Sequence, residues 1–452
     1  MVIESLSLRQ FAKHSQGQLI GEDLFFQKVS LDSRACNDAL FFAIKGEQHD
    51  GHDYINGAIE NGCLAVVTER ALSGVSVPWV QVDSTVNALG SAAELNRVRF
   101  SGELIALTGS SGKTTTKNML AAILGTKAQT CATQGNQNNE LGVPLTLLAL
   151  GPEHRFGVIE MGARHAGDIA YLCRVAQPDI ALVLNAGSAH LGEFGSYQAI
   201  VETKGEMYRD APQKATLVMN LDDPAHATWL QMAGNRTVVT YSQVKRSADL
   251  FAERIDENAS GSEIVLHYAG DAFQITVPLA GRHNVSNALA AIAVALHAGL
   301  SVEEIRHGLA GMQASSGRMF RIELSNGAQL IDDSYNANPQ SMAAALEVLA
   351  LHQGRKIAVL GEMAELGQSA LNAHLEVAKK AKSLSLDGLF LVGSFAEQMA
   401  ATFGPGAYAF TSKEALLNKL KQELTKDLTV LIKGSRSAGM DSVVNSLSGE
   451  FS

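Results

Sequence analysis

Apolar and polar residues alternate in two patterns along this chain, and each pattern predicts a different kind of secondary structure. Continuous apolar runs cover residues 104–107, 156–160, 180–184 and 217–220, with amphipathic segments between them. Such runs are typical of parallel strands that are buried on both faces, and the segments between them predict helices. Near residues 262–279 the apolar period falls to two, which predicts an antiparallel ribbon appended to a parallel sheet.

The regions on either side of this central part predict two further α/β units. Before residue 100, short strands are expected at 40–46, 63–67 and 79–82. Beyond residue 314 the alternation restarts, with strands at 329–332, 356–361, 388–393 and 428–433. This last pattern predicts a doubly wound sheet similar to a dinucleotide-binding fold, although no G-x-G-x-x-G segment occurs in it.

Together these patterns predict an α/β protein of three domains. Residues 1–100 are expected to form a small α/β domain, and residues 101–313 a central parallel-sheet domain with a phosphate loop and the antiparallel ribbon. Residues 314–452 are expected to form a doubly wound, Rossmann-like domain. A chain of 452 residues is too long for one hydrophobic core, which agrees with several domains.

The composition favours a globular protein and disfavours several classes of partner. Hydrophobic residues make up 46% of the chain, and the net charge of −10 argues against nucleic acid as a partner. The four cysteines have no metal-ligand spacing and are expected to be reduced (Cys36, Cys63, Cys131 and Cys173). The first residues lack the pattern of a secretory leader, and the longest apolar tract, 288–300, is too short for a membrane span. We therefore expect a cytoplasmic protein with no membrane span.

A glycine-rich turn lies between the first central strand and the helix that follows it. The turn reads TGSSGKT at 108–114, and this context predicts a phosphate loop whose backbone N–H groups face an anion at a helix N-terminus. Leu107 stands where the general pattern has glycine, so the loop is a compact form. Lys113 is expected to reach the β- and γ-phosphates of ATP, and the Thr114 hydroxyl a magnesium ion.

Other polar residues stand at the ends of predicted strands or at the starts of helices. Glu160 ends an apolar strand, where a carboxylate could hold magnesium or cap a helix. His190 follows a glycine-rich strand end, whereas the local sequence around Lys204 indicates a solvated helix residue. Asn284 and Asn287 lie one helical turn apart, an arrangement that suits the edge of a base or an ordinary helix cap. The segment DDSYNANP at 332–339 is dense in acids and amides, which favours a functional role.

These segments together resemble those of the Mur ligase family, the ATP-dependent amide-forming enzymes of peptidoglycan precursor synthesis. The resemblance spans nearly the whole chain. It rests on TGSSGKT at 108–114, TQGNQNNELGVP at 133–144, VIEMG at 158–162, HLGEFGS at 190–196, KGE at 204–206, GRHNVSNALAA at 281–291, DDSYNANP at 332–339 and KGSRSAGM at 433–440. The two asparagine-rich segments are similar to those of the last cytoplasmic ligase of the series. This implies UDP-N-acetylmuramoyl-tripeptide and D-alanyl-D-alanine as substrates.

The resemblance implies a role for each residue of the nucleotide site. Thr114 and Glu160 would hold one magnesium ion, and His190 and Lys204 a second, with Lys113 as a further catalytic residue. The matching lysine of the family is often carbamylated, which would turn Lys204 from an ammonium into an oxygen ligand. The implied ATP site consists of Gly109, Ser110, Ser111, Gly112, Lys113, Thr114, Thr115, Asn284, Asn287, Arg318 and Asp333. In it, the two asparagines match adenine contacts, and Arg318 and Asp333 approach from the third domain.

The resemblance also implies substrate-binding residues in all three domains. Those for the uridine diphosphate lie in the first domain and are Ser30, Asp32, Ser33, Arg34, Lys45, Gly46, Asp50 and His52. Those for the peptide part are Asn136, Asn138, Asn139, Tyr335, Asn336 and Arg436. The usual Pro-Gly before the strand at 40–46 is replaced by Asp38 and Ala39, so the loop departs from the family pattern there.

The implied reaction is an amide ligation through an acyl phosphate, with domain closure to exclude water. We expect the chain to act as a monomer. Two alternatives remain open at this point. One is a related ligase such as a folylpolyglutamate-type synthase, against which the 32–52 region and the asparagine-rich segment argue. The other is a non-catalytic nucleotide switch, which would not need the metal pair at Lys204 and His190.

Overall fold

The computed structural model describes residues 5–187, 191–312 and 314–450. Its strands form three large sheets that follow one another along the chain, together with one short pair. The α/β class with three successive sheets is confirmed, whereas the domain boundaries at 100 and 313 stay predictions.

The N-terminal sheet has five strands in the order β2-β7-β6-β5-β4, with β2 antiparallel and the other strands parallel. The strands of this part are β1 (Leu6–Ser7), β2 (Gln18–Ile20), β3 (Phe25–Phe26), β4 (Val29–Ser30), β5 (Leu40–Phe42), β6 (Ala65–Thr68) and β7 (Trp79–Gln81). The helices are α1 (Leu8–His14), α2 (Ile55–Glu60) and α3 (Thr85–Arg99). A 3-10 turn at Gly51–Tyr54 leads directly into α2.

The central sheet has nine strands in the order β16-β15-β14-β13-β12-β11-β8-β10-β9. The strands are β8 (Glu103–Thr108), β9 (Thr130–Ala132), β10 (Phe156–Glu160), β11 (Ile180–Val183), β12 (Thr216–Asn220), β13 (Val238–Ser242), β14 (Leu250–Asn258), β15 (Gly261–Tyr268) and β16 (Asp271–Val277). The helices are α4 (Lys113–Gly125), α5 (Gly142–Leu148), α6 (Asp168–Ala176), α7 (Leu191–Phe194), α8 (Tyr197–Asp210), α9 (His226–Ala233), α10 (Arg282–His297) and α11 (Val302–Ala310). The predicted ribbon is confirmed, because β14, β15 and β16 pair antiparallel at the edge of an otherwise parallel sheet.

The C-terminal sheet has six strands in the order β17-β18-β22-β19-β20-β21, and all its pairs except β17–β18 are parallel. The strands are β17 (Phe320–Glu323), β18 (Gln329–Asp333), β19 (Arg355–Leu360), β20 (Gly388–Val392), β21 (Ala407–Phe410) and β22 (Leu428–Lys433). The helices are α12 (Pro339–Ala350), α13 (Ala370–Ser383), α14 (Ala396–Phe403), α15 (Lys413–Glu423) and α16 (Asp441–Glu450). The doubly wound arrangement predicted beyond residue 314 is present.

The hydrophobic cores divide the molecule differently from the sheets. One core runs without a break from the N-terminal sheet, through α3, to the helices on one face of the central sheet. The C-terminal residues instead form two cores of their own. Within the described ranges, no helix is long and apolar enough to cross a membrane.

Candidate active site

The phosphate loop joins β8 to α4 at the carboxyl edge of the central sheet. Gly112 has a φ of +80°, and a Cβ there would lie 2.3 Å from the side-chain oxygen of Asn287, so only glycine fits. The loop rests on the end of the neighbouring strand, because the backbone N–H of Ser111 donates to Asn185 Oδ1 at 3.0 Å. The Lys113 ammonium folds back and donates to the carbonyl oxygen of Gly109 at 2.8 Å. Burial lowers the pKa of Lys113. This is expected for a buried cation at an anion site when no anion is bound to it.

Glu160 ends β10, next to the phosphate loop, and is only 2% exposed. Its Oε1 accepts a hydrogen bond from Asn138 Nδ2 at 2.7 Å, and its backbone N–H donates to Thr133 Oγ1 at 2.9 Å. Its Oε2 is buried and has no hydrogen-bond partner among the described residues. A buried carboxylate oxygen without a partner is costly, and a cation would satisfy it. Glu160 and the nearby Thr114 hydroxyl are hard oxygen donors of the kind that magnesium prefers, so these residues fit the implied ion.

Lys204 lies on α8 and is 2% exposed, so its interpretation from local sequence as a solvated residue is wrong. The helix packs against the central sheet. The Lys204 ammonium lies over the Phe194 ring, 6.0 Å from the ring centre. Burial, with a smaller contribution from Lys113, lowers the pKa of Lys204 from 10.5 to about 7. His190, the residue expected to share a metal with Lys204, lies outside the described residues.

Asn284 and Asn287 lie in the first two turns of α10, and both side chains are buried beside the phosphate loop. Asn284 Nδ2 donates to the carbonyl oxygen of Ala280 at 2.8 Å, and Asn287 Nδ2 to Asn284 Oδ1 at 3.3 Å. Both residues line the central cavity. The contact of Asn284 and Asn287 with adenine stays a prediction. The contacts of Arg318 and Asp333 with the nucleotide stay predictions as well.

The C-terminal domain contributes a compact polar group at the ends of β18 and β22. The Arg318 guanidinium lies 4.1 Å from the ring centre of Tyr335, and that of Arg436 lies 5.9 Å from it. Asp333 accepts a hydrogen bond from the buried ammonium of Lys433 at 2.6 Å. Lys433, which also lines the cavity described next, was not among the predicted site residues, although its position at the end of an apolar strand could have indicated it.

A single cavity of about 1080 Å³ brings most of the predicted residues together. It is lined by these predicted residues: Ser110, Ser111, Gly112, Lys113, Thr114, Thr115, Asn136, Asn138, Asn139, Glu160, Asn284, Asn287, Arg318, Asp333, Tyr335 and Asn336. Gly109 and Lys204 do not line this cavity. Arg436 lines a smaller neighbouring cavity of about 400 Å³, which also touches Lys113 and Asn336.

The predicted residues of the N-terminal domain lie apart from this cavity, and among residues 5–100 only Glu47 lines it. Arg34 donates two hydrogen bonds to the Asp32 carboxylate at 2.9 and 2.8 Å, and its side-chain bond lowers the pKa of Asp32 to about 2. The Ser30 hydroxyl bonds the backbone of Asp32 at both its N–H and its carbonyl, while Ser33 precedes Arg34 in the same turn.

Asp50 and His52 form a second local group in this domain. His52 Nδ1 lies 2.6 Å from Asp50 Oδ1, and His52 Nε2 accepts the backbone N–H of Glu69 at 3.0 Å. When Nδ1 carries the N–H and donates it to Asp50, both nitrogens of the His52 ring form hydrogen bonds. The buried ring therefore supports the loop that holds Lys45 and Gly46. The Lys45 side chain is exposed on that loop.

Comparisons with known proteins agree over the full length of the chain. The model of the Mur ligase family catalytic domain matches residues 26–97, that of the Mur ligase middle domain residues 107–295, and that of the Mur ligase glutamate ligase domain residues 317–436. The UDP-N-acetylmuramoyl-tripeptide–D-alanyl-D-alanine ligase of Escherichia coli is 39% identical, with 98% of each chain covered.

Solved structures give the same result. A crystal structure of MurF from Acinetobacter baumannii is 35% identical, with a TM-score of 0.93, and the match covers 99% of this chain and 100% of that one. The MurF ligase of Thermotoga maritima in complex with ADP is 30% identical, with a TM-score of 0.85 over 94% and 97% of the two chains. On its phosphate loop, its three sheets and these full-length matches, the chain belongs to the Mur ligase family.

Proposed function

We propose that this chain joins D-alanyl-D-alanine to the terminal carboxylate of UDP-N-acetylmuramoyl-tripeptide, with ATP as the energy source. The products are UDP-N-acetylmuramoyl-pentapeptide, ADP and phosphate. The observation that carries the proposal is the single cavity that joins the phosphate loop to the asparagine-rich loop and the polar group of the C-terminal domain. Full-length relatives that bear the name of this reaction support it.

The reaction needs activation because a carboxylate does not react with an amine at neutral pH. A carboxylate oxygen attacks the γ-phosphorus of ATP, and the bond from that phosphorus to ADP breaks. The amine nitrogen of the dipeptide then attacks the acyl carbon, its proton leaves, and the bond to phosphate breaks. Phosphoryl transfer depends mainly on positioning and on charge neutralisation.

Lys113 and Arg318 are the cations of this chain that suit that task. The Lys113 ammonium already forms a hydrogen bond within the phosphate loop, and Arg318 approaches from the C-terminal domain. Thr114 and Glu160 would hold one magnesium ion, and Lys204 with His190 a second; these ions neutralise phosphate charge when bound. Because Arg318 belongs to a domain with its own cores, we infer that the site is complete only when the domains close.

Lys204 is proposed to carry a carbamate. In this step the Nζ–carbon bond to carbon dioxide forms and one N–H proton leaves, which requires the neutral amine. The lowered pKa of Lys204 supports the proposal, because burial favours the neutral amine that reacts with carbon dioxide. The carbamate would place an anionic oxygen where an ammonium would repel metal.

The smaller cavity suits the acceptor dipeptide. Arg436 would neutralise its carboxylate, with Asn336 and Tyr335 beside it, while Lys113, which lines the same cavity, would face the phosphate. The predicted N-terminal residues would bind the uridine diphosphate, and Asn136, Asn138 and Asn139 the peptide between the two sites. The domain ranges 1–100, 101–313 and 314–452 then correspond to nucleotide-sugar, ATP and acceptor binding. We further propose a cytoplasmic monomer, and the four unpaired cysteines agree with a reducing compartment.

The test is phosphate release with ATP, magnesium and UDP-N-acetylmuramoyl-tripeptide, with and without D-alanyl-D-alanine, while the product mass is recorded. We expect release that depends on the dipeptide, together with a pentapeptide product. Release only with another acceptor, such as glutamate with a folate, would support the folylpolyglutamate-type alternative instead. Nucleotide binding without any amide product would leave only a nucleotide switch.

A further inference from the structure

Lys117 is a buried lysine to which the reaction gives no role. It lies on α4 one turn beyond Lys113 and is 5% exposed. Its ammonium donates to the backbone carbonyl oxygen of Thr133 at 2.7 Å. It forms no ion pair within the ranges that the structure describes. A buried ammonium held by a neutral carbonyl is costly to keep, so its position calls for a function.

The bond from Lys117 reaches the start of the asparagine-rich loop at residues 133–139. The backbone N–H of Thr133 donates to the Val158 carbonyl at 3.0 Å, while Thr133 Oγ1 accepts the backbone N–H of Glu160 at 2.9 Å. Thr133 therefore holds the last residues of β10 by two hydrogen bonds, and Lys117 in turn holds the Thr133 carbonyl.

The far end of the same loop is held to the same strand end. Asn138 Nδ2 donates to Glu160 Oε1 at 2.7 Å, and the Asn138 carbonyl accepts the backbone N–H of Gly162 at 2.7 Å. A Cβ on Gly162 would lie 2.8 Å from Asn138 Oδ1, so the loop lies directly against the strand end. Glu160 thus receives a hydrogen bond at its carboxylate and makes one at its backbone N–H, both with residues of one loop.

We infer that Lys117 is a positioning residue that sets the asparagine-rich loop in register with the phosphate loop. This inference rests on the proposed function, in which the loop binds the peptide and Glu160 serves the nucleotide. Lys113 and Lys117 share one helix, so the Lys117 bond ties residues 133–139 to the helix that begins at the phosphate loop. Preorganisation of this kind matters because a misplacement of about 1 Å between reacting groups costs about 10²-fold in rate.

The test is Lys117→Met, which keeps the length and apolar stem of the side chain and removes the charge and the donor. We expect the KM for UDP-N-acetylmuramoyl-tripeptide to rise about tenfold, the size expected for one charged hydrogen bond, while the KM for ATP changes less than about twofold. Amide hydrogen exchange without substrates should become faster at residues 133–139 and stay unchanged in the interior of α4. Lys127→Met is the matched control, because Lys127 also donates to a carbonyl, that of Gly299 at 2.5 Å, but is exposed.

A double variant separates positioning from general destabilisation. If Lys117 acts through the loop, Lys117→Met combined with Asn138→Ala should raise the tripeptide KM no further than the larger single change does. Independent, multiplying effects would overturn the inference, as would unchanged exchange at 133–139 or an equal rise of both KM values. A wild-type chain that makes no amide would instead contradict the proposed function, and the exchange measurement would still decide the role of Lys117.

Discussion

The central site and the N-terminal candidate site both contain acidic and basic residues, but these residues differ in burial and in pairing. In the central domain the charges are buried and incompletely paired: Glu160 keeps one carboxylate oxygen without a partner among the described residues, and Lys204 has a strongly lowered pKa. In the N-terminal domain the charges are more exposed than Glu160 and Lys204 and already paired, Arg34 with Asp32 and Arg70 with the half-buried Asp50. The charged groups of the central site need a ligand to complete their pairing, whereas those of the N-terminal site pair with one another.

This difference indicates where binding energy and catalysis depend on single residues. A buried polar atom without a partner destabilises the fold, so it is retained where a ligand completes it. An exposed ion pair contributes little because water and salt screen it. Substitutions at the central site should therefore change the rate strongly, and those at the N-terminal site should change affinity weakly.

The largest effect is expected for Lys204→Met, which leaves an apolar side chain where the proposed carbamate would hold metal. We expect kcat to fall about 10³-fold, the upper range for loss of one preorganised charge, in the phosphate-release assay. Lys214→Met is the control, because Lys214 is exposed and pairs with Asp179 at 3.3 Å. A variant that keeps more than a tenth of the wild-type kcat would contradict the proposed role of Lys204.

The same substitution should change how stability depends on pH. Burial lowers the pKa of Lys204 from 10.5 to about 7, so the folded protein releases this proton near pH 7 and the unfolded chain near pH 10.5. Between these values the unfolded state binds more protons, and the contribution of Lys204 to the free energy of unfolding rises with pH. Denaturant titrations from pH 7 to 10, in buffer free of carbon dioxide so that Lys204 is a plain amine, should show this rise in the wild type, and a smaller one in Lys204→Met. Equal slopes would show that Lys204 keeps its ordinary pKa.

A smaller effect is expected for Glu160→Gln, since the amide keeps one oxygen that can still face a cation. We expect kcat to fall about 10²-fold and the magnesium concentration for half-maximal rate to rise. Glu140→Gln is the matched control, because Glu140 is an exposed carboxylate on the wall of the same cavity. An unchanged magnesium requirement in Glu160→Gln would remove Glu160 from the proposed metal site.

Much of the fold follows from the chain itself because its central strands are buried on both faces. The uninterrupted apolar runs place β10 and β22 at their observed bounds, and the change of period near residue 262 identifies the ribbon. Edge strands are harder to predict: β9 at Thr130–Ala132 has three residues, all only partly buried, so it carries neither pattern.

Site residues were predictable where a strand or loop motif marks them, and not where tertiary packing decides. The burial of Lys204 depends on the packing of α8 against the sheet, which a helix with charged neighbours does not reveal. Lys117 did leave a signal, since it lies three residues before Leu120 and seven before Leu124 on the buried face of α4. A lysine at such a position needs a specific partner, and Thr133 provides it.

The smallest effect is expected at the N-terminal site, for Arg34→Ala. Its ion pair with Asp32 is exposed, with 85% of the Arg34 side chain open to solvent, so the free protein gains little from it. We expect the KM for UDP-N-acetylmuramoyl-tripeptide to rise about threefold, with kcat unchanged and the effect weaker at high salt. Arg254→Ala, which breaks an exposed pair with Asp256 on the ribbon, should change neither constant. A rise of more than about tenfold would mean that the bound nucleotide buries Arg34. In that case the contrast between the two sites would hold only for the free protein, because the ligand would desolvate the N-terminal charges as the fold already does for the central ones.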